Sequence, residues 1–147
     1  MPVAIRSATL NDVPAILSIE GQAPGAAHWA ADQYSKLVDT GIILVAEEAG
    51  KLCGFVCAKA VADEWEIENV VVATAFLRRG IANELVRELI HRAAHEAASA
   101  ILLEVRESNL PARRLYEKHG FCEVGRRRVY YRNPVEDAIL YALRFDR

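Results

Sequence analysis

Leu77-Arg78-Arg79-Gly80-Ile81-Ala82-Asn83 is the stretch on which the fold turns. It follows the apolar run Ile67-Glu68-Asn69-Val70-Val71-Val72 and the connector Ala73-Thr74-Ala75-Phe76, and it leads into a long amphipathic segment. The pattern predicts a strand, a tight basic turn and a helix. Backbone N–H groups in the first turn of a helix have no partner within it, and the summed peptide dipole favours a negative group there. Gly80 and Ala82 keep bulk away from that backbone, and Arg78 and Arg79 can offer forked, charge-assisted donors to a phosphate. An ordinary strand-to-helix turn with its arginines in water looks the same locally, so the neighbouring segments have to discriminate.

The helix after Gly80 places Ile81, Leu85 and Leu89, with Val86, Ile90, Ala93 and Ala97, on one broad stripe. Glu84, Arg87, Glu88 and Arg92 fall on the side facing water. Ala100-Ile101-Leu102-Leu103-Glu104-Val105 then reads as a strand buried on both faces that carries a carboxylate. A crossover helix joins strands in parallel, so this strand is expected beside, and parallel to, the one ending at Val72. An ionised Glu104 in an apolar strand is costly unless it is paired, neutralised or needed. That makes it a candidate catalytic group; the structural alternative is a carboxylate paired with an arginine such as Arg106. Glu66 and Glu68, on one face of the preceding strand, are the second choice for the same role.

Upstream, Val3 to Arg6 reads as a short strand, and Thr9 to Asp12 as a capping box opening a helix to about Glu20. That helix would bury Val13, Ile16 and Leu17, with Leu10 beside them. Gln22 to Ala27 breaks the helix with proline and glycine, and a second helical stretch runs from His28-Trp29 to Val38. The loop lines a substrate entrance in one reading; in the other, Trp29 is a core anchor between two helices. Gly41 to Glu47 and Leu52 to Ala60 form a hairpin around Glu48-Ala49-Gly50-Lys51, and Trp65 to Val72 completes an antiparallel meander. Downstream, Ser108 or Asn109 caps a helix with Pro111 in its first turn, and His119-Gly120 stops it. Phe121 to Val124, Arg126 to Tyr131 and Asp137 to Arg144 are expected strands, with Asn133-Pro134 as a turn.

The 147 residues are one domain by length, and 52% apolar composition supports a substantial core. A net charge of -2 implies no broad nucleic-acid surface, so no DNA binding is expected. The 3 cysteines, Cys53, Cys57 and Cys122, lack CxxC spacing, which disfavours both a disulfide framework and a thiolate metal site. Met1-Pro2-Val3 begins without a basic-then-apolar leader, and no apolar run approaches the roughly 20 residues that span a bilayer. The expectation is a reduced, cytoplasmic chain. His91 and His95 lie one helical turn apart, yet no Glu follows His91 and no third ligand is evident, so they read as a solvated face and no metal is expected.

The element order, together with Val70 to Asn83 and Leu103 to Phe121, resembles the acetyl-CoA core of the GCN5-related N-acetyltransferases. That family's glycine motif, Gln/Arg-x-x-Gly-x-Gly/Ala, is matched by Leu77-Arg78-Arg79-Gly80-Ile81-Ala82 at both small positions, with Leu77 at the first. Within the family, the chain is most similar to the ribosomal-protein-alanine N-acetyltransferases. The signatures are Leu103 to Asn109, Leu115 to Phe121, Arg126 to Tyr131 and Glu136 to Ile139, with His28-Trp29 where the subgroup has Pro-Trp-Ser. The resemblance implies an α/β acyl-CoA N-acyltransferase fold: a mixed, mostly antiparallel sheet, helices on both faces, and a splayed central strand pair. It implies that Val70, Val71 and Val72 offer backbone groups to the pantetheine arm. Arg78, Arg79, Gly80, Ile81, Ala82 and Asn83 would hold the pyrophosphate, and Asn109 would contact the cofactor. Glu104 would be the general base, through a water, and Tyr116 the general acid. The implied reaction is direct acetyl transfer from acetyl-CoA to a protein N-terminal α-amine, as of a ribosomal protein starting with alanine.

The chemistry stands beside the resemblance. An amine attacks a thioester only when neutral, and a thiolate leaves more easily with a proton donor nearby. At pH 7 an α-amine of pKa near 8 is about one-tenth neutral, while freeing a lysine nitrogen costs roughly 3 kcal/mol more. The α-amine is the easier acceptor. Lysine side chains, polyamines and small-molecule amines stay open as acceptors, and so does a non-catalytic acetyl-CoA-binding module. Tyr116 is otherwise a core tyrosine. Tyr130-Tyr131 forms a peptide-facing wall, or one of the pair packs. Arg126-Arg127-Arg128 faces an acidic or phosphate-bearing partner, or water.

Overall fold

Hairpin chemistry sets the register of the first half of the sheet. The computed structural model describes residues 2–23 and 28–146. Its strands are β1 (Ala4–Ser7), β2 (Ile42–Glu48), β3 (Lys51–Val61), β4 (Glu64–Val72), β5 (Ala100–Arg106), β6 (Cys122–Tyr131) and β7 (Glu136–Arg144). Its helices are α1 (Val13–Glu20), α2 (Ala31–Thr40), α3 (Ile81–His95) and α4 (Leu110–Lys118). Between β2 and β3 only Ala49 and Gly50 turn the chain, both at positive φ (52° and 81°), the twist-matched two-residue hairpin loop. The sheet runs β1-β2-β3-β4-β5-β7-β6, with β4 and β5 the parallel pair.

The boundaries differ from expectation where a local bond intervenes. A 3-10 turn, Leu10–Asp12, precedes α1; there Asp12 accepts the Thr9 N–H at 2.8 Å, as the capping box requires. The buried side of α1 is Val13, Ile16, Ile19 and Glu20, while Leu10 is exposed. Trp29 does not open α2. Its N–H is taken by Glu20, and the helix starts at Ala31 with the Ala30 N–H capped by Gln33 Oε1 at 2.7 Å. Ala97, expected on the α3 stripe, lies beyond the helix at φ 59° and is exposed. The two strands expected at Phe121–Val124 and Arg126–Tyr131 are one. Val124 is a bulge between the pairs Glu123↔Tyr141 and Gly125↔Leu140, so the ladder continues past it. Pro24 to Ala27, part of the expected entrance loop, lie outside the described residues.

Alternation along the strands builds a core on each face of the sheet. On one face Leu85, Val86 and Leu89 of α3 and Tyr116 of α4 pack on Val56, Ile101, Leu103 and Ile139. On the other, Ile16 of α1 and Tyr34 of α2 pack on Val45, Phe55, Cys57 and Val71, with Trp29 partly buried against them. Gly54 brings α3 close to the sheet. A Cβ there would stand 3.0 Å from the Val71 carbonyl and 3.2 Å from Ile81 Cγ2, so a side chain at this position would push the start of α3 away.

Two irregularities open the middle of the sheet. The β4–β5 register is Glu64↔Ala100, Trp65↔Ile101 and Glu66↔Leu102, and there it stops, although both strands continue. Just beyond, Glu68 is an extra residue in β4, since Cys57 pairs with Asn69 and Ala58 with Ile67. A bulge increases local twist and bends its strand. The C-terminal half of β4 therefore follows β3 and leaves β5, and the central pair is splayed.

Candidate active site

The splay holds a cavity of about 880 Å³ whose walls come from Ile67 to Val72 of β4, Leu103 to Arg106 of β5, Ser108, Asn109, Ala112 and Tyr116 around α4, and Tyr131 of β6. On its β4 side, no ladder bonds from β5 reach Val70, Val71 or Val72, so that edge of the backbone is open to an extended ligand. At its end Leu77 lines the wall, and the basic turn leads into α3. Gly80 sits at the α3 N-cap with φ 78°, a conformation natural to glycine, and nothing lies within 4 Å of where its Cβ would be. Among the described residues no side chain caps α3. The N–H groups of Ile81, Ala82 and Asn83 thus face outward without a helical partner. Arg78, at φ 64°, carries the same turn. The Arg79 guanidinium is directed to Glu48 and lies over the Phe76 ring at 5.2 Å, so it stands beside the turn rather than across it. Asn83 Oδ1 is buried without a partner among the described residues.

Glu104 and Tyr116 meet this cavity from different elements. Leu103 and Val105 point into the α3–α4 core, so Glu104 between them projects from the opposite face, the one that Glu66 and Glu68 share. Its side chain is 29% exposed because it borders the cavity, rather than buried on both faces. Its ion-pair partner is Arg127, with Nε donating to Oε1 at 2.8 Å. Arg106, the expected partner, instead donates to the carbonyls of Arg132 and Pro134 and stacks on Tyr131 at 4.4 Å. Glu68 lines the cavity too, held with Glu66 by Lys59 Nζ at 3.2 and 3.7 Å. Tyr116 is buried against Phe121 and Tyr141. Burial, then the neighbouring Tyr131 and Cys57, pushes its phenol well above the usual tyrosine range. Of the tyrosine pair, Tyr131 lines the cavity and Tyr130 packs edge-on against it from outside, at 5.1 Å.

The opposite wall is tied down by a buried carboxylate. Glu20, 4% exposed at the end of α1, accepts the Trp29 N–H at 3.2 and 3.1 Å and the Tyr34 hydroxyl, with His28 Nδ1 at 3.5 Å. Gln22 Oε1 accepts the Thr74 N–H at 2.8 Å and so links α1 to the connector before α3. Ala23, next along, lines the cavity. The anchoring by Glu20 and the Arg127 contact are absent from the sequence reading. The signal for Glu20 was a carboxylate on the apolar side of α1, one turn after Ile16. Arg127 left no local signal, because β7 inserts between β5 and β6 and only that order carries Arg127 to Glu104. Arg126 points elsewhere, to Glu107 at 2.6 Å and Asp137 at 2.8 Å, so two of the three consecutive arginines are matched by carboxylates of the chain itself. His91 and His95 are exposed, and among the described residues no group of three or more potential ligands could hold a metal.

A sheet parted at its one parallel pair, with an uncapped helix at the end of the gap and a carboxylate and a phenol inside it, is built to receive an extended, anion-bearing donor and a nucleophile together. The chain belongs to the acetyltransferase (GNAT) family, whose model matches residues 11–121, and is an acetyl-CoA-dependent N-acetyltransferase. It is 33% identical over 142 residues to the [ribosomal protein bS18]-alanine N-acetyltransferase of Escherichia coli (strain K12), covering 95% of both chains. The crystal structure of the Escherichia coli ribosomal-protein-S18-alanine N-acetyltransferase superposes with a TM-score of 0.91 at 31% identity, over 99% of this chain and 96% of that one. Ard1 from Thermoplasma volcanium shares the fold, with a TM-score of 0.88 at 20% identity over the whole of both chains. No helix among the described residues is long and apolar enough to cross a membrane.

Proposed function

We propose that residues 1–147 form one catalytic domain that acetylates a protein N-terminal α-amine, with a ribosomal protein starting with alanine as the first substrate to test. The observation that carries the reading is the placement of Glu104 and Tyr116 on one cavity beside an open strand edge and an uncapped helix. The residues fit acetyl-CoA. Val70, Val71 and Val72 offer unladdered backbone to an extended arm, and the N–H groups from Arg78 to Asn83 face the place a pyrophosphate would take. Gly80 leaves that approach clear, and Asn109 borders the cavity at the start of α4. When bound, the thioester supplies an activated acetyl group.

The chain's own residues handle the protons. Glu104 takes one from the incoming ammonium through a water, which produces the neutral nitrogen that can attack; a positioned base of this kind contributes on the order of 100- to 10,000-fold. Tyr116, protonated at neutral pH as a phenol is, gives its proton to the departing sulfur. Among the described residues no cysteine lines the cavity, and Cys57 is buried with its thiol pushed up, which favours direct transfer over a covalent enzyme intermediate. Three free cysteines among the described residues support a reducing cytoplasmic setting, where the proposed substrate is made.

The test is mass spectrometry on the protein incubated with acetyl-CoA and an alanine-starting peptide, alongside a twin with a blocked α-amine and an internal lysine. One acetyl on the free-terminus peptide alone is the expected result. Acetylation of the twin would move the acceptor to lysine. No product, with acetyl-CoA bound, would leave another amine or a binding module.

A further inference from the structure

Glu104 does not stand free in the site. Arg127 holds its Oε1, and the way that arginine is mounted differs from its neighbour Arg126. Arg126 is fixed between two carboxylates away from the cavity. Arg127 has one carboxylate and a side chain 56% exposed, and while it holds Glu104 its guanidinium also lies 5.6 Å from the ring centroid of Tyr130, which is itself exposed. The ladder under it is also interrupted. Arg127 pairs with Ala138, the next pair is Tyr131 with Glu136, and Val129 between them turns through φ 53°. Arg127 therefore sits on the last regular residue before an irregular hairpin, held there by one exposed ion pair and one aromatic face.

The acceptor meets this arrangement as a cation. At pH 7 about nine-tenths of an α-amine and nearly all of a lysine carry a proton. An ammonium approaching Glu104 meets the guanidinium already on that carboxylate, and like charges a few ångströms apart repel. We infer that Arg127 is a positioning residue: it occupies Glu104 in the place of the acceptor's cation, and it must give up that contact before a charged acceptor binds. The inference rests on the reading of Glu104 as the base. The contact fixes one oxygen of a carboxylate that borders the cavity. During binding it penalises any amine that arrives protonated.

The experiment is steady-state acetylation of the alanine-starting peptide at pH 7 by the wild type, Arg127→Gln, Arg127→Lys and Glu104→Gln, with thermal melts of each. In Arg127→Gln the KM for peptide falls about threefold, the scale of an exposed ion pair, while the KM for acetyl-CoA stays put. Arg127→Lys keeps the charge and returns the peptide KM toward wild type. A merely structural arginine would lower kcat or melting temperature and leave peptide KM unchanged or raised, and that outcome overturns the inference. So does a fall in KM that lysine fails to reverse. Glu104→Gln separates the two layers. Wild-type turnover in that variant removes the base and the inference together. Lost turnover there, with an unmoved peptide KM in Arg127→Gln, leaves the base standing and removes only the role of Arg127.

Discussion

Glu104 and Tyr116 reach one cavity from opposite faces of the sheet. Glu104 projects from β5 on the α1–α2 side, whereas Tyr116 comes from α4 on the α3 side. A continuous sheet would keep them apart, with backbone between. The parting of β4 from β5 after Glu66 and Leu102 removes that barrier, so the proposed base and the proposed acid share one cavity.

Replacing each group should therefore affect turnover and little else. Glu104→Gln and Tyr116→Phe are each expected to lower kcat by roughly 100-fold or more while the Kd for acetyl-CoA changes little. Tyr116→Phe keeps the ring against Phe121 and Tyr141, so its melting temperature should match wild type. Glu68→Gln is the needed control, because Glu68 shares the face and the cavity. A loss in Glu68→Gln equal to that in Glu104→Gln would move the base to β4. Stopped-flow turnover with titration calorimetry reads all three.

Gly80→Val tests the phosphate turn. Nothing would touch the added Cβ, so the cost is conformational: a β-branched residue at φ 78° loses about 1–2 kcal/mol. The branched side chain would also stand beside the open N–H groups of α3. Acetyl-CoA binding should weaken by about tenfold, or 1.4 kcal/mol, measured by calorimetry. Unchanged affinity in a folded Gly80→Val protein would take the pyrophosphate away from this turn.

What could be read from the chain alone was set by local physics. The Ala49-Gly50 hairpin, the α3 stripe through Leu85 and Leu89, and the parallel crossover to Ala100–Arg106 depend on neighbours close in sequence. The cavity-lining places of Glu104, Tyr116 and Val70 to Val72 follow from those elements together with a familiar motif. What escaped depends on distant register. The insertion of β7 beside β5 decides that Glu104 meets Arg127 rather than Arg106, and no periodicity carries that order. Leu10 and Ala97 have the spacing of apolar stripes, but a 3-10 turn and a left-handed residue end the helical geometry before either is buried. The bulge at Glu68, which opens the sheet, has no sequence mark beyond a carboxylate in an apolar run.

Acid stability should depend on Asp12. This carboxylate is 8% exposed and accepts from both terminal nitrogens of Arg6, at 2.8 and 2.9 Å, and from the Thr9 N–H. The Arg6 bonds hold it below its usual range, with burial opposing and Thr9 assisting. A depressed carboxylate stabilises the fold above its unfolded pKa of about 3.9, and that contribution is lost as pH falls through the lower folded value. Arg6 is itself 38% exposed, so screening reduces the effect. Asp12→Asn should cost about 1–2 kcal/mol at neutral pH, and the gap from wild type should close as the pH drops below roughly 4. Thermal melts across that range check it; a gap that widens on acidification would contradict the sign.

Asn109 has one observed role, as a helix cap, and one proposed role, toward the ligand, and one pair of variants separates them. Its Oδ1 accepts the Ala112 N–H at 3.3 Å and caps α4, and the same residue borders the cavity where acetyl-CoA is proposed to lie. Asn109→Ala loses the cap, worth about 1 kcal/mol, and loses the amide that would meet the ligand. Asn109→Asp keeps an oxygen acceptor at the N-cap, where a negative charge suits the helix dipole, so its melting temperature should equal or exceed that of wild type. The aspartate also places a negative charge beside an anionic ligand and removes the amide donor. Acetyl-CoA affinity should thus fall in both variants while stability falls only in Asn109→Ala. If Asn109→Asp binds as wild type does, Asn109 is a helix cap that happens to face the cavity, and the ligand contact belongs to the backbone of α4 instead.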